Sequence, residues 1–293
     1  MSTVSIFAPA KLNLFLAVTG RRPDGFHDLV SVVAQLDFGD TLHAEPAPEL
    51  TLESDASDIP LDASNLVLKA AAAFRQEAKW TGGARFRLEK RVPVGAGLGG
   101  GSSDAVATLR ACNELAGRPL APPALSRLAA QLGSDCALFL HEGPLVMRGR
   151  GERITGLPPA VAARLRGRRV ILFKPDFAIA TPWAYTQLAA DPAANYLPAT
   201  AAELRLNAWF QAEHASAEDL LLNTMEPPAF AKFPALPILL QRLRTDFGLQ
   251  PRMSGSGSAC FAFLRDEAPI PAITAMIRAA WGESAFVAEA RLT

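Results

Sequence analysis

Five of the seven residues from Gly95 to Gly101 are glycine, and the run continues Ser102-Ser103-Asp104. An alternating segment, Ala84-Arg85-Phe86-Arg87-Leu88-Glu89-Lys90, leads into it, and a helix-like run from Asp104 to Leu115 leaves it. That order of strand, glycine loop and helix restricts the fold more than any other stretch of the chain. Glycine lacks a Cβ, so the backbone can adopt positive φ and approach a bound group closely. Successive N–H groups of such a loop, ending at a helix N-terminus, make an anion site. The segment Pro93, Val94, Gly95, Ala96, Gly97, Leu98, Gly99, Gly100, Gly101, Ser102, Ser103 is therefore expected to hold phosphate groups.

Gly95, Gly97 and Gly100 fit the spacing of a dinucleotide-binding fingerprint, which also needs a second strand and an acidic residue about 20 positions on. Here the helix gives way to Gly117-Arg118-Pro119-Leu120-Ala121-Pro122-Pro123, and no such strand follows. A Walker-type loop must end Gly-Lys-Ser/Thr; this one ends Gly-Ser-Ser. The third reading is a different glycine-rich kinase loop, in which Ser102 and Ser103 add hydroxyls beside the amides. A flexible Gly/Ser linker is the bland alternative, and the flanking strand and capped helix argue against it.

A chain of 293 residues suffices for two domains of ordinary size, and 49% apolar residues supply a sizeable core. With 29 basic and 29 acidic residues the net charge is zero, so no general electrostatic drive toward nucleic acid or membrane follows. Cys112, Cys136 and Cys260 form no C-x-x-C pair, which argues against a disulfide framework or zinc site and fits a reducing cytosol. No signal peptide or apolar run of transmembrane length is apparent. A cytoplasmic protein with no membrane and no nucleic-acid partner is expected, as a monomer or weak homodimer.

Strands are expected at Val4–Phe7, Lys11–Val18, Ser31–Phe38, Asp40–Glu45, Val170–Lys174, Ala259–Leu264 and Ser284–Arg291, and extended chain at Ala137–Leu140 and Leu145–Arg148. Helices are expected at Asn65–Ala78, Pro123–Leu132, Thr181–Leu188, Ala201–Ala212, Leu236–Phe247 and Pro271–Trp281, with Pro192–Pro198 as loop. The pattern is α+β rather than a strict βαβ repeat. Gly, Pro and Arg concentrate over 151–169, which suggests a boundary there, at 160/161.

Four further segments can carry chemistry. Ala8-Pro9-Ala10-Lys11-Leu12-Asn13-Leu14 puts Lys11 and Asn13 on one strand face, either wet at an edge or turned inward and needing partners. Leu132-Gly133-Ser134-Asp135 places a carboxylate at the head of an apolar run, as a cap or as a general base for a hydroxyl. Arg252-Met253-Ser254-Gly255-Ser256-Gly257-Ser258 is a second Gly/Ser turn before a strand. Arg21-Arg22-Pro23-Asp24-Gly25 is turn-forming and then presents Phe26 and His27, which could read a planar base by stacking and hydrogen bonding.

Taken in order, Ala8–Asn13, Pro93–Ser103 and Ser254–Ser258 resemble the three motifs of the GHMP kinase superfamily, across nearly the whole chain. The triple glycine and R-R-P-D-G-F-H resemble one branch of it, whose members phosphorylate the 2-hydroxyl of a CDP-linked methylerythritol in non-mevalonate isoprenoid precursor synthesis. The resemblance implies a two-domain fold: an N-terminal ATP-binding domain with a mixed sheet and helices, and a C-terminal ferredoxin-like α/β sandwich. It implies ATP as co-substrate with Mg2+, for which Ser103 is a candidate ligand. Lys11 and Asp135 would be the catalytic pair, and the segment from Pro93 to Ser103 would wrap the ATP phosphates. Asn13 would contact the substrate's polar groups. His27 would read the cytosine edge with Phe26 and Tyr185, after Thr181, over the ring. Gly255, Ser256, Gly257 and Ser258 would support the phosphate and sugar region. Two positions depart from the branch: Phe26 stands where tyrosine is usual, and Cys136-Ala137 follows Asp135 where Val-Pro is usual.

Overall fold

The computed structural model describes residues 3–293, and contacts divide them into two interleaved compact units. The first comprises residues up to Ala10, Phe38–Val94 and Gly99–Glu142; the second comprises Lys11–Asp37, Gly95–Leu98 and Gly143–Thr293. Two long strands, β1 (Val4–Arg21) and β2 (His27–Ala47), contribute residues to both units.

Each long strand is expected from the sequence as two shorter ones, parted around Pro9 in β1 and at Gly39 in β2. Both strands continue through these residues, which face each other. A Cβ on Gly39 would overlap Ala8 O and stand 2.7 Å from Pro9 Cα, so the strands approach there as only glycine permits.

In the first unit, β3 (Thr51–Ser54) runs parallel to β4 (Gly83–Glu89), and β4 pairs antiparallel with Thr41–Ala47 of β2. Phe86 and Leu88 of β4 are fully buried, while Arg85 and Arg87, alternating with them, are exposed, so the alternation does place one face in the core. Helix Leu66–Glu77 starts at Asn65, whose side chain accepts from Val67 N–H, and buries Val67, Ala70, Ala71 and Phe74. It packs on helix Gly100–Leu115, which packs in turn on helix Pro122–Leu132. Ala137–Leu140, expected as extended chain, is one 3₁₀ turn that buries Leu138 and Phe139. A four-residue apolar run suits either state; here closure onto the neighbouring helices decides it.

In the second unit, Leu29–Val33 of β2 pair antiparallel with β5 (Leu145–Gly149), and β5 pairs with β6 (Arg153–Gly156), a strand the sequence reading misses. A separate antiparallel sheet uses β7 (Arg169–Lys174), β9 (Arg252–Met253), β10 (Cys260–Phe263) and β11 (Phe286–Arg291), in the order β11-β7-β10-β9. The two-residue β8 (Leu222–Asn223) pairs parallel with β1. With helix Ile270–Trp281 between β10 and β11, that order is the split β-α-β-β-α-β ferredoxin-like arrangement. Helices and β8 fill its first crossover, where Pro192–Asn195, expected as loop, is a short helix capped by Asp191. Ile171 and Phe173 of β7, Cys260 and Ala262 of β10, Leu239, Leu240 and Leu243 of helix Ala235–Phe247, and Ile273 and Ile277 form one buried cluster.

Candidate active site

Within the second unit, three sequence motifs come together. Lys11 N–H donates to Leu98 O at 2.9 Å, Ala259 N–H donates to Ala96 O at 3.0 Å, and Ser254 Oγ donates to Gly97 O at 3.1 Å. Asn13 N–H donates to that same Ser254 Oγ at 3.4 Å. The middle of the glycine loop is thus held between β1 and the second Gly/Ser turn. Gly97 has φ +74°, and a Cβ there would overlap Ser254 O and come within 3.1 Å of Gly257 N. Replacing Gly97 by alanine is expected to cost about 1–2 kcal/mol for the backbone conformation and about 1–3 kcal/mol for the overlap. Thermal unfolding with and without nucleotide measures both the lowered midpoint and the weakened binding.

Lys11 and Asn13 share one face of β1, and both are buried. Lys11 Nζ donates to Asn13 Oδ1 at 2.6 Å, Asn13 Nδ2 donates to Ser31 Oγ at 3.0 Å, and Ser31 Oγ donates to Phe15 O at 2.7 Å. The inward alternative is the one realised, and the amide that the resemblance assigns to substrate also holds the lysine. A Cβ on Gly255 would stand 3.5 Å from Lys11 Nζ, so the C-terminal turn borders this ammonium. Asn223 Nδ2 holds that turn through Met253 O and Gly255 O, at 2.8 Å each. Ser31 and Asn223 carry no local motif in the sequence, because each acts on residues far along the chain.

The second unit also holds the aromatic group. The turn at Pro23-Asp24-Gly25 closes through Arg22 N–H to Phe26 O at 2.8 Å. Phe26 is half exposed, with the Arg150 guanidinium 4.9 Å above its ring. His27 is buried and stacks on Tyr185 with centroids 4.8 Å apart. Burial, and then the Arg21 cation, hold its pKa below the ordinary histidine value. Thr181 begins the helix that carries Tyr185 and meets Ser256 Oγ at 2.9 Å.

The first unit carries both ends of the glycine loop. Gly99 precedes the helix with φ +73° and supplies no side-chain cap, so the first-turn N–H groups of Gly100–Leu115 lack one. Ser103 Oγ and Asp104 Oδ1 are buried without a hydrogen-bond partner. Lys90 Nζ donates to Asp40 and, at 2.9 Å, to Asp104 Oδ2. Asp40 Oδ1 also accepts from Arg91 N–H at 2.5 Å and Val92 N–H at 2.8 Å. This buried Asp40–Lys90–Asp104 group ties the end of the strand segment to the start of the helix. Burial works against the Lys90 charge, but the two carboxylates outweigh it and raise its pKa. Burial, with Asp40 adding to it against Lys90, pushes Asp104 up to about 7.

Asp135 lies half-buried in the turn between helix Pro122–Leu132 and the 3₁₀ turn. Its neighbour Cys136 is buried and hydrogen-bonded to Ser102 of the glycine loop, and burial pushes its thiol up to about 11. The cysteine at this unusual position is thus a packing residue joined to the loop. Among the described residues no three His, Cys, Asp or Glu side chains converge to hold a metal.

The glycine loop, the helix start and the ferredoxin-like sheet together define a kinase of the GHMP type. Residues 65–143 match the family described as GHMP kinases N terminal domain, and residues 199–283 match GHMP kinases C terminal. The 4-diphosphocytidyl-2-C-methyl-D-erythritol kinases of Synechococcus sp. (strain CC9902) and Deinococcus radiodurans are each 38% identical to the chain. The alignments cover 90% and 92% of this chain and 88% and 87% of theirs. A crystal structure of 4-(cytidine 5'-diphospho)-2C-methyl-D-erythritol kinase superposes with TM-score 0.77 at 34% identity, covering 99% of this chain and 100% of that one. Methanococcus jannaschii mevalonate kinase shares the fold, with TM-score 0.73 at 13% identity over 100% of this chain and 99% of its own. The chain belongs to the 4-diphosphocytidyl-2-C-methyl-D-erythritol kinase family of GHMP kinases.

Proposed function

We propose that the protein transfers the γ-phosphoryl group of ATP to the 2-hydroxyl of 4-diphosphocytidyl-2-C-methyl-D-erythritol, in the cytoplasm, as a step in non-mevalonate isoprenoid precursor synthesis. The observation that carries this reading is the meeting of Lys11, the Ala96–Leu98 backbone and the Ser254–Ser258 turn in one hydrogen-bonded group. Family membership and the His27–Tyr185 stack support the cytidine-linked substrate.

Phosphoryl transfer needs positioning and charge stabilisation more than covalent help. The N–H groups of Gly95–Ser102, at the loop and the uncapped helix start, offer donors for the phosphates, while Ser103 N–H is taken by Gly99 O. The hydroxyl oxygen bonds to the γ-phosphorus as its bond to the β,γ-bridging oxygen breaks, and ADP leaves. Asp135 takes the hydroxyl proton, and the Lys11 ammonium, held by Asn13, stabilises the negative charge that develops on oxygen. A magnesium ion carried by ATP needs only one or two protein oxygens, and the unpartnered Ser103 Oγ fits that need. Bound there, the ion would neutralise phosphate charge. No helix among the described residues is long and apolar enough to cross a membrane.

The test is ADP release from ATP and magnesium with a panel of CDP-linked methylerythritol, mevalonate, phosphomevalonate, homoserine and galactose. Release with the CDP-linked alcohol alone is expected. Release with another alcohol would keep the kinase and overturn the substrate, and NADH binding in place of ATP binding would overturn the class.

A further inference from the structure

His27 Nε2 lies 3.0 Å from Tyr196 Oη, and the two rings meet edge to face with centroids 5.9 Å apart. Tyr196 follows the short helix Pro192–Asn195 and is held on several sides. Its N–H donates to Pro192 O at 3.0 Å, and the next residue, Leu197, donates to Val18 O of β1 at 3.1 Å. Asn195 Nδ2 reaches Gln187 O and Leu188 O of the helix that carries Tyr185, at 3.4 Å each. The phenol therefore has a fixed place beside the imidazole. Among the described residues, this hydroxyl is the one hydrogen-bond partner recorded for the His27 ring.

A neutral imidazole has one N–H donor and one bare acceptor, and the partner of one nitrogen decides the state of the other. Burial, and then the Arg21 cation, lower the His27 pKa and so favour its neutral ring. Tyr196 keeps its proton, since burial raises its pKa against the same arginine. A phenol is a better hydrogen-bond donor than an imidazole N–H, which favours the arrangement in which Tyr196 Oη–H donates to Nε2. Nδ1 then carries the ring proton.

We propose that Tyr196 is a positioning residue for base selection: it fixes His27 in the Nδ1–H tautomer, so that the ring offers a donor, and no acceptor, to the base. Cytosine presents N3 as an acceptor, whereas uracil presents N3–H as a donor. A fixed donor on the protein pairs with the first and opposes the second, so selectivity comes partly from a contact built against the wrong base. The proposal rests on the reading that the substrate carries cytidine diphosphate. It assigns to this chain a residue in a segment that the sequence reads as loop.

The test compares full-length wild type with Tyr196→Phe, which keeps the ring and removes only the hydroxyl, on the CDP-linked and UDP-linked substrates. Wild type is expected to favour the CDP-linked substrate. In Tyr196→Phe its KM should rise about 10-fold, as for loss of one hydrogen bond, with kcat little changed. The CDP-over-UDP ratio of kcat/KM should fall by a similar factor. Independently, ¹⁵N spectra of imidazole-labelled wild type, assigned by loss of one signal in His27→Gln, should show Nδ1 protonated and Nε2 bare. Tyr196→Phe should show a mixture of tautomers. An unchanged ratio in the variant, or a protonated Nε2 in wild type, would overturn the proposal and leave the kinase reading intact. Wild type that phosphorylates neither substrate would overturn that reading, and the proposal with it.

Discussion

Asp135→Asn is expected to lower kcat by about 10²–10⁴-fold, the usual contribution of a positioned general base. The amide keeps the shape of the carboxylate and cannot take the hydroxyl proton. KM for ATP should change little, because the interaction lost belongs to the transition state rather than to nucleotide binding. Stability should also change little, since Asp135 is half-buried in a turn and the amide keeps the carboxylate's shape and one acceptor oxygen. Single-turnover measurement of ADP formation with saturating ATP is the direct check. Full turnover in Asp135→Asn would remove Asp135 from the mechanism and move attention to Lys11, which is held 2.6 Å from Asn13 Oδ1.

The largest loss of stability is expected at Lys90. Lys90→Met removes the cation that touches both Asp40, fully buried, and Asp104, 3% exposed. Breaking a buried ion pair from one side costs about 3–5 kcal/mol, because it leaves an uncompensated buried charge. Urea denaturation at pH 8 should show that loss, and wild-type stability in the variant would mean that water already reaches the carboxylates. Asp104 also gives the protein a pH dependence of definite sign. Its folded pKa, about 7, stands above the ordinary value of 3.8. Between those limits the folded state keeps a proton that the unfolded chain has released. Its contribution is therefore fully present below 3.8 and is lost as pH rises through 7. Asp104→Asn, which keeps an acceptor for Lys90, should flatten that decline and sit closest to, or above, wild type at the alkaline end. Denaturation midpoints from pH 5 to 8 decide this; parallel curves would show that Asp104 does not titrate in the window.

Much of the second unit's site is legible in the sequence because its residues announce themselves locally. Glycines at positive φ, a Pro-Asp-Gly turn and a polar pair on an apolar strand all mark backbone needs that neighbouring residues reveal. The ferredoxin-like sheet is harder to read, since β9 is two residues long and carries almost no periodic signal. The Asp40–Lys90–Asp104 group is illegible for a different reason. Asp40 lies 50 positions from Lys90, and each charge alone looks like an ordinary surface residue. Tyr196 had a usable sign: Asp191-Pro192 is a cap followed by a proline at the first helical position, so the segment before it was not bound to be loop. β1 and β2 each read as two pieces because alternation is a local signal, whereas the pairing that carries the strands through Pro9 and Gly39 is not.

Leu36 and Leu292 form an antiparallel bridge, Thr293 N–H donates to Gln35 O at 3.0 Å, and Gly167 N–H donates to Leu292 O at 2.8 Å. Both leucines are almost wholly buried. On the ribosome, Gln35–Asp37 leave the exit tunnel long before Arg291–Thr293 have been made. At roughly 5–20 residues per second the wait is on the order of 10–50 s. Throughout it, Leu36 on the nascent chain stays uncovered on that side, in a β-forming apolar stretch that can pair with other chains. The yield of folded enzyme in a cell is thus set partly by how that interval compares with chaperone capture, and a shortage of chaperone should show first as aggregation of the growing chain.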